Sequence, residues 1–121
     1  MANSNYNIGD HDTRPWGKWA VVHLGQGFIV KQITVNPGGI LSLQRHKYRA
    51  EHWVITQGHG TVTLDDRKVP VSNDTAVYIP IGAWHRIQND GRDPLVFIEV
   101  QTGDTLDESD IERRDDKYNR T

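Results

Sequence analysis

The strongest constraint on the fold is a succession of short strand-like segments, each ended by Gly, Pro, Asn or Asp. Gly25-Gln26-Gly27, Asn36-Pro37-Gly38-Gly39 and Asn89-Asp90-Gly91 are typical of these breaks. The pattern predicts nine strands, at residues 19–24, 28–35, 41–46, 52–57, 60–64, 68–71, 76–79, 85–89 and 95–101. Many short strands at this spacing indicate an all-β antiparallel sandwich or barrel.

The length of 121 residues suits one domain. We expect residues 1–13, which are polar, to form a flexible N-terminal arm, and residues 14–121 to form the domain. Residues 104–120 carry seven acidic and four basic side chains, with Leu106, Ile111 and Tyr118 as apolar anchors. A short helix is predicted within this tail, although a solvated charged tail fits the same pattern.

Composition excludes several classes of function. The chain has no cysteine, so it has no disulfides, thiolate zinc sites or cysteine nucleophiles. Its net charge of -2 argues against a nucleic-acid-binding surface. Apolar runs are far shorter than the roughly 20 residues of a membrane span, and the first residues do not resemble a signal peptide. We therefore expect a cytoplasmic protein that contacts neither nucleic acid nor membrane.

Four polar residues have a spacing that suits a metal site. Gln44 and His46 are two residues apart and share one face of a strand, Glu51 follows five residues later, and His85 opens a strand after a Pro-x-Gly turn. Neutral imidazole nitrogens and carboxylate oxygens suit a divalent ion such as zinc, and the Gln44 amide adds a carbonyl oxygen. The alternative is that these are isolated polar residues of a sheet.

Two segments containing these residues resemble the paired motifs of the cupin family: PGGILSLQRHKYRAEHWVITQG at residues 37–58 and PIGAWHRIQN at residues 80–89. Gln44 stands where the first histidine of the cupin motif usually lies, and Asp74 stands where a glycine is usual. The resemblance implies a double-stranded β-helix barrel. It also implies a divalent metal, most simply zinc, held by Gln44, His46, Glu51 and His85.

Nearly the whole chain is similar to the cupin domain of type II mannose-6-phosphate isomerases, the C-terminal part of bifunctional guanylyltransferase–isomerases. The strings PLVFIEVQTG and DESDIERRDDKYNR add to this similarity. The resemblance implies interconversion of mannose 6-phosphate and fructose 6-phosphate, in the supply of GDP-mannose for polysaccharides. No glycine-rich phosphate loop precedes the cupin motifs, so we expect no guanylyltransferase activity from this chain.

Sugar-phosphate isomerisation needs a proton-transfer group, stabilisation of an enediolate and cations for phosphate. Lys31 shares the parity of apolar residues and points into the barrel unless a bulge shifts it. Arg49, beside Glu51, is a candidate for catalysis or for a simple ion pair. Trp84 and Arg86 are expected at the pocket mouth as substrate-binding residues. Glu99 is a further candidate, and the sequence leaves open whether its side chain faces the pocket.

Three hypotheses remain. The first is the metal-dependent isomerase, with Arg49 and Lys31 as catalytic residues. The second is a non-catalytic cupin that binds a sugar phosphate or sugar nucleotide and partners a separate guanylyltransferase. The third is a dioxygenase, because fold does not determine function. Leu41 and Leu43 alternate with Gln44 and are expected to form an outward apolar pair, which predicts a homodimer.

Overall fold

The computed structural model describes residues 6–117. Eleven strands and no helix lie within this range. In chain order the strands are β1 (His11–Arg14), β2 (Gly17–Gly25), β3 (Phe28–Val35), β4 (Gln44–Arg45), β5 (Arg49–Gln57), β6 (His59–Leu64), β7 (Arg67–Ser72), β8 (Ala76–Ile79), β9 (His85–Gln88), β10 (Leu95–Gly103) and β11 (Glu112–Arg113). Among these residues, therefore, no helix has the length and apolar character that a membrane crossing requires.

The strands form two antiparallel sheets. One has six strands in the order β1-β2-β3-β10-β5-β8, and the other has five in the order β11-β4-β9-β6-β7. Consecutive hairpins account for β1–β2, β2–β3 and β6–β7, whereas β10 returns from late in the chain to lie between β3 and β5. The expectation of an all-β antiparallel fold is confirmed.

Side chains alternate between the core and the outside along the long strands. The core between the sheets contains Ile33, Trp53, Ile55, Ile87 and Phe97, all buried. Their β-branched and aromatic side chains fill a pleated, buried surface well. Removal of this apolar area from water stabilises the barrel.

The inward row of β10 changes character along the strand. Leu95 and Phe97 are apolar and buried, and Glu99 and Gln101 follow on the same face, also buried. Glu99 is paired with Lys31 of β3, so two buried charged residues meet at this end of the barrel. The register thus creates an apolar end and a polar end of one interior.

The N-terminal boundary differs from the sequence prediction. Residues 11–13, assigned to a flexible arm, belong with Arg14 to β1 and pair with β2. Tyr6 is buried and packs edge-on against Trp19 with ring centroids 5.8 Å apart. A strand made of polar residues shows no alternation of apolar and polar side chains, so the sequence pattern did not predict this edge strand. Residues 1–5 of the expected arm lie outside the described range.

The tail differs as well, because no helix forms within residues 104–117. Asp110 accepts hydrogen bonds from the backbone N–H groups of Lys47 and Tyr48, and Asp107 accepts one from Ser109. Such side-chain bonds to backbone compete with helix formation. The tail instead crosses the second sheet and adds β11 to its edge, while Tyr118 lies outside the described residues.

The segment expected as a strand over 41–46 is mostly irregular, since β4 contains only Gln44–Arg45. Leu41 is consequently turned into the core, and Leu43 is half-buried with its backbone bonded to the tail at Arg114 and Asp115. The predicted outward pair of Leu41 and Leu43 is therefore wrong. Strict alternation does not extend through an irregular segment.

Candidate metal centre and adjoining cavity

A cluster of three potential ligands lies at the polar end of the barrel. His46 follows β4, Glu51 belongs to β5 and His85 begins β9, and these side chains are only 1–3% exposed. His46 Nε2 is 3.1 Å from Glu51 Oε2, and His85 Nε2 is 3.9 Å from Glu51 Oε1. The potential ligand atoms all lie within 4.8 Å of one another.

Backbone carbonyls orient both imidazoles. His46 Nδ1 lies 2.7 Å from the carbonyl oxygen of Asp110, and His85 Nδ1 lies 3.0 Å from that of Ala83. A carbonyl only accepts, so each Nδ1 carries the proton and each Nε2 presents a lone pair to the cluster. Burial lowers the pKa of His85, which favours the neutral, ligating form.

Glu51 is held in its ionised form by its neighbours. Trp53 Nε1 donates to Glu51 Oε1 at 2.9 Å, and Arg49 Nε donates to Oε2 at 2.9 Å. Burial by itself would raise the pKa of this carboxyl, but the charge of Arg49 opposes burial, and the pKa lies well below its usual range. Two imidazole nitrogens and one buried carboxylate are a donor set that fits a divalent metal ion.

Gln44, the fourth predicted ligand, is paired with His85 in the short β4–β9 ladder and lines the adjoining cavity. Its Nε2 lies 3.2 Å from the hydroxyl of Ser42 and 3.4 Å from the Ser42 carbonyl oxygen. These bonds engage the amide nitrogen of Gln44 and leave the carbonyl oxygen as the group available for a metal.

A cavity of about 100 Å³ adjoins the cluster. Charged and polar side chains and three aromatic rings line it, and the N-terminal segment and the tail contribute to this lining. The lining residues that concern the chemistry are Tyr6, Trp19, Lys31, Gln44, Arg49, Glu99, Gln101 and Glu108. Arg49 contacts both the cavity and the ligand cluster, since its Nη2 is 3.3 Å from His46 Nε2.

Arg49 is buried and charged. Burial alone would lower its pKa, but Glu51 and Glu99 more than compensate and raise it. The ion pair with Glu51, one of the two alternatives in the sequence analysis, is present. The other alternative, a catalytic role, stays a prediction, and the same side chain also lines the cavity.

Lys31 points into the barrel, as its parity predicted. Its Nζ lies 2.9 Å from the Tyr6 hydroxyl, 4.2 Å from the centre of the Tyr6 ring and 4.4 Å from that of Trp19. Burial lowers its pKa, and Glu99 opposes that shift. Two ring faces therefore stabilise the cation where water cannot.

The side chain of Glu99 faces the cavity, a point that the sequence left open. Burial first, and the nearby Glu51 second, raise the pKa of Glu99 to about 8. Gln101 Nε2 donates to Glu99 Oε1 at 2.6 Å. Sequence reasoning did not propose Gln101 or Tyr6. The signal for Gln101 was its parity with Glu99, whereas Tyr6 carried none.

Trp84 and Arg86 are not at the cavity, so their predicted place at its mouth is wrong. Arg45 and Arg114 lie 4.6 and 4.1 Å from the Trp84 ring centre. Arg86 donates to the carbonyl oxygens of Leu41 and Asp115. Both residues flank His85, and alternation sends them to the opposite face of the second sheet, which the tail covers.

The chain is similar in sequence to proteins of known families. Residues 2–116 match the family model described as mannose-6-phosphate isomerase C-terminal. The alginate biosynthesis protein AlgA of Pseudomonas aeruginosa is 50% identical over 108 residues, which are 89% of this chain and 22% of that protein. Mannose-1-phosphate guanylyltransferase ManC of Salmonella typhimurium is 44% identical over 88% of this chain and 22% of its own length. The chain thus spans about a fifth of the length of these relatives.

Among solved structures, the cupin domain of Cnp3 from Schizosaccharomyces pombe superposes with a TM-score of 0.69. Sequence identity is 19%, and the match covers 72% of this chain and 64% of that chain. At this identity the likeness concerns the fold alone. The cupin double-stranded β-helix that the two motifs implied is confirmed.

Proposed function

The chain belongs to the mannose-6-phosphate isomerase C-terminal family, and from this premise we propose that it is a metal-dependent isomerase interconverting mannose 6-phosphate and fructose 6-phosphate. The observation that carries the proposal is the buried cluster of His46, Glu51 and His85, joined by Arg49 to a cavity with further charged side chains. A protein that only binds a sugar phosphate does not need an arginine that links a metal site to the binding cavity.

His46, Glu51 and His85 would hold the divalent ion, and Gln44 would add its carbonyl oxygen. Zinc is the metal that this nitrogen and oxygen donor set suits best. When bound, such an ion acts as a Lewis acid that polarises a carbonyl group. The protein residues supply orientation, charge and proton transfer.

Arg49 stabilises the negative charge of the enediolate. Its guanidinium is already held by Glu51, and so it needs no reorganisation as charge develops at the sugar oxygens. Because the enediolate charge is absent from the ground state, this contribution lowers the barrier more than it tightens substrate binding.

Glu99 is the residue placed to move the proton between the two carbons. It is buried at the cavity, and its pKa of about 8 lies near neutrality, where a group can both accept and return a proton. Lys31, held by Tyr6 and Trp19 on the same side of the cavity, binds an anionic group of the substrate. Trp84 and Arg86 have no part in this assignment.

The test is a coupled assay of mannose 6-phosphate conversion with the chelated and the zinc-reloaded protein. We expect close to one divalent ion per chain in the reloaded protein, and activity only in that form. His85→Ala should lose both metal and activity. His52→Ala is the matched control, because His52 lies on the outer face of the same barrel against Tyr78.

Conversion by His85→Ala at the wild-type rate would contradict the site. If no divalent ion supports conversion in the wild type, yet calorimetry detects binding of mannose phosphate or GDP-mannose, the chain is a non-catalytic binding cupin. Oxygen consumption by an iron-loaded protein would favour the dioxygenase. We expect no guanylyl transfer by this chain, since its sequence has no glycine-rich phosphate loop.

A further inference from the structure

Gln101 has a buried polar atom that the fold does not pair. The side chain is 0% exposed and lines the cavity. Its Nε2 donates to Glu99, but its Oε1 has no hydrogen-bond partner within residues 6–117. A buried acceptor without a partner destabilises a folded protein, so its presence at a cavity indicates a ligand that donates to it.

The register places this atom near the metal cluster. Gln101 is directly opposite Glu51 in the β10–β5 ladder, and Glu99, one inward position away, is opposite Trp53. Gln101 therefore lies in the same layer of the barrel as a metal ligand. The part of a substrate that reaches it is the part close to the reacting carbons.

We propose that Gln101 binds a hydroxyl group of the sugar chain, and so selects for polyhydroxylated ligands. This inference rests on the proposed function, because it assigns a sugar phosphate to the cavity. Oε1 is an acceptor beside the carboxyl group of Glu99, so it disfavours an anionic phosphate. A hydroxyl both donates and accepts, and it pairs with either end of the amide.

The neighbouring cavity residues Lys31 and Arg49 already have other roles, so neither is suited to select a hydroxyl group. Lys31 is bonded to Tyr6, and Arg49 is bonded to Glu51. Both present positive charge, which suits phosphate or enediolate oxygens and gives no preference for a neutral hydroxyl. Gln44 is also a neutral amide at the cavity, but its carbonyl oxygen is assigned to the metal, whereas Gln101 Oε1 is a buried acceptor without a partner.

The first experiment measures binding without catalysis. The probe is mannitol 1-phosphate, which has hydroxyl groups and a phosphate but no carbonyl to isomerise, titrated calorimetrically into the zinc-loaded 121-residue chain. We expect Gln101→Met, which keeps the side-chain length but removes the amide, to weaken binding roughly tenfold to a hundredfold. The control Gln88→Met, at an exposed position of β9, should bind like the wild type.

The second experiment changes the ligand, so it does not depend on the folding of a variant. Mannitol 1-phosphates lacking single hydroxyl groups are titrated into the wild type. One analogue should lose roughly tenfold to a hundredfold in affinity, and this loss should disappear in Gln101→Met, as expected for two partners of one bond. A purely structural role of Gln101 would weaken all analogues equally.

The outcomes separate this inference from the proposed function. If the wild type isomerises mannose 6-phosphate but Gln101→Met binds the probe as tightly, the inference is overturned and the isomerase stands. If the wild type does not isomerise but the analogue pattern depends on Gln101, the inference stands and the isomerase fails. No binding of mannitol 1-phosphate to the wild type, or equal binding of every analogue, overturns the inference.

Discussion

Arg49 is the residue whose replacement best separates chemistry from metal binding. Arg49→Ala should lower turnover by at least about tenfold, because the guanidinium acts on charge that appears only in the transition state. Metal content should stay near that of the wild type, since His46, Glu51 and His85 all remain. Steady-state kinetics and elemental analysis measure the two effects.

The matched control for this change is Arg45→Ala. Arg45 is also an arginine near a ligand, but it bonds Glu112 and packs on Trp84 outside the cavity. Turnover by Arg49→Ala at the wild-type level would refute its role, even with the isomerase assignment intact.

Glu99 predicts a pH dependence of stability in the metal-free protein. Its pKa rises from an ordinary value near 4.5 to about 8 in the fold. The folded state therefore binds the proton more tightly than the unfolded state. This stabilisation is present below about pH 4.5 and is lost as the pH rises through about 8.

Removal of the carboxylate should remove that loss. In chelated protein, the melting temperature of Glu99→Gln should increasingly exceed that of the wild type between pH 5 and pH 8. The charged groups that face Glu99, namely Lys31, Arg49 and Glu51, are unchanged in both proteins. Parallel curves for the two proteins over this range would show that Glu99 titrates normally.

At the scale of elements, the N-terminal segment and the tail are held by a second, smaller core. Tyr6, Val21, Ile29 and Leu106 form this cluster, separate from the main core between the sheets. It joins the two ends of the chain to β2 and β3 and forms one wall of the cavity through Tyr6. The N-terminal segment and the tail thus both contribute to the site, and neither forms a helix within residues 6–117.

Leu106→Ala should destabilise the protein by about 2–4 kcal/mol, because Leu106 is 0% exposed and its truncation leaves a cavity. Urea denaturation measures this cost. Ile8→Ala serves as the control, since Ile8 is 62% exposed in the same N-terminal segment and should cost under about 0.5 kcal/mol. Equal effects of the two changes would mean that the tail does not anchor at Leu106.

At the scale of the whole molecule, the outer face of the six-stranded sheet replaces Leu41 and Leu43 as the basis for assembly. Val22, Val54 and Tyr78 project from it with exposures of 46, 43 and 53%. They belong to β2, β5 and β8, so the apolar side chains extend across most of the sheet. We propose that a second copy of the chain covers this face in a twofold homodimer.

Val54→Lys should convert the dimer into a monomer, because a lysine at the centre of an apolar contact loses its hydration. Ile81→Lys is the control, since Ile81 is 56% exposed in the loop after β8. Light scattering over a wide concentration range measures the mass. A monomeric wild type at every concentration would refute the dimer.

The sequence by itself determined most of the strands and the ligand cluster. Strands β3 (Phe28–Val35) and β8 (Ala76–Ile79) have their predicted bounds, and Lys31 faces inward as its parity required. The physical reason is that alternation is local: a residue's face follows from its neighbours two positions away. Glu51 and His85 lie on strands and His46 directly follows β4, so it was the resemblance to the paired motifs, not alternation alone, that predicted their grouping.

Tertiary structure alone decided what surrounds that cluster. Gln101 is next to Glu51 only because β10 inserts between β3 and β5 in one particular register. Trp84 lies outside the cavity because the tail packs across the opposite face of its sheet. Tyr6 reaches Lys31 from 25 residues earlier in the chain. These contacts join residues distant in sequence, and no local period encodes which distant segment will pack there.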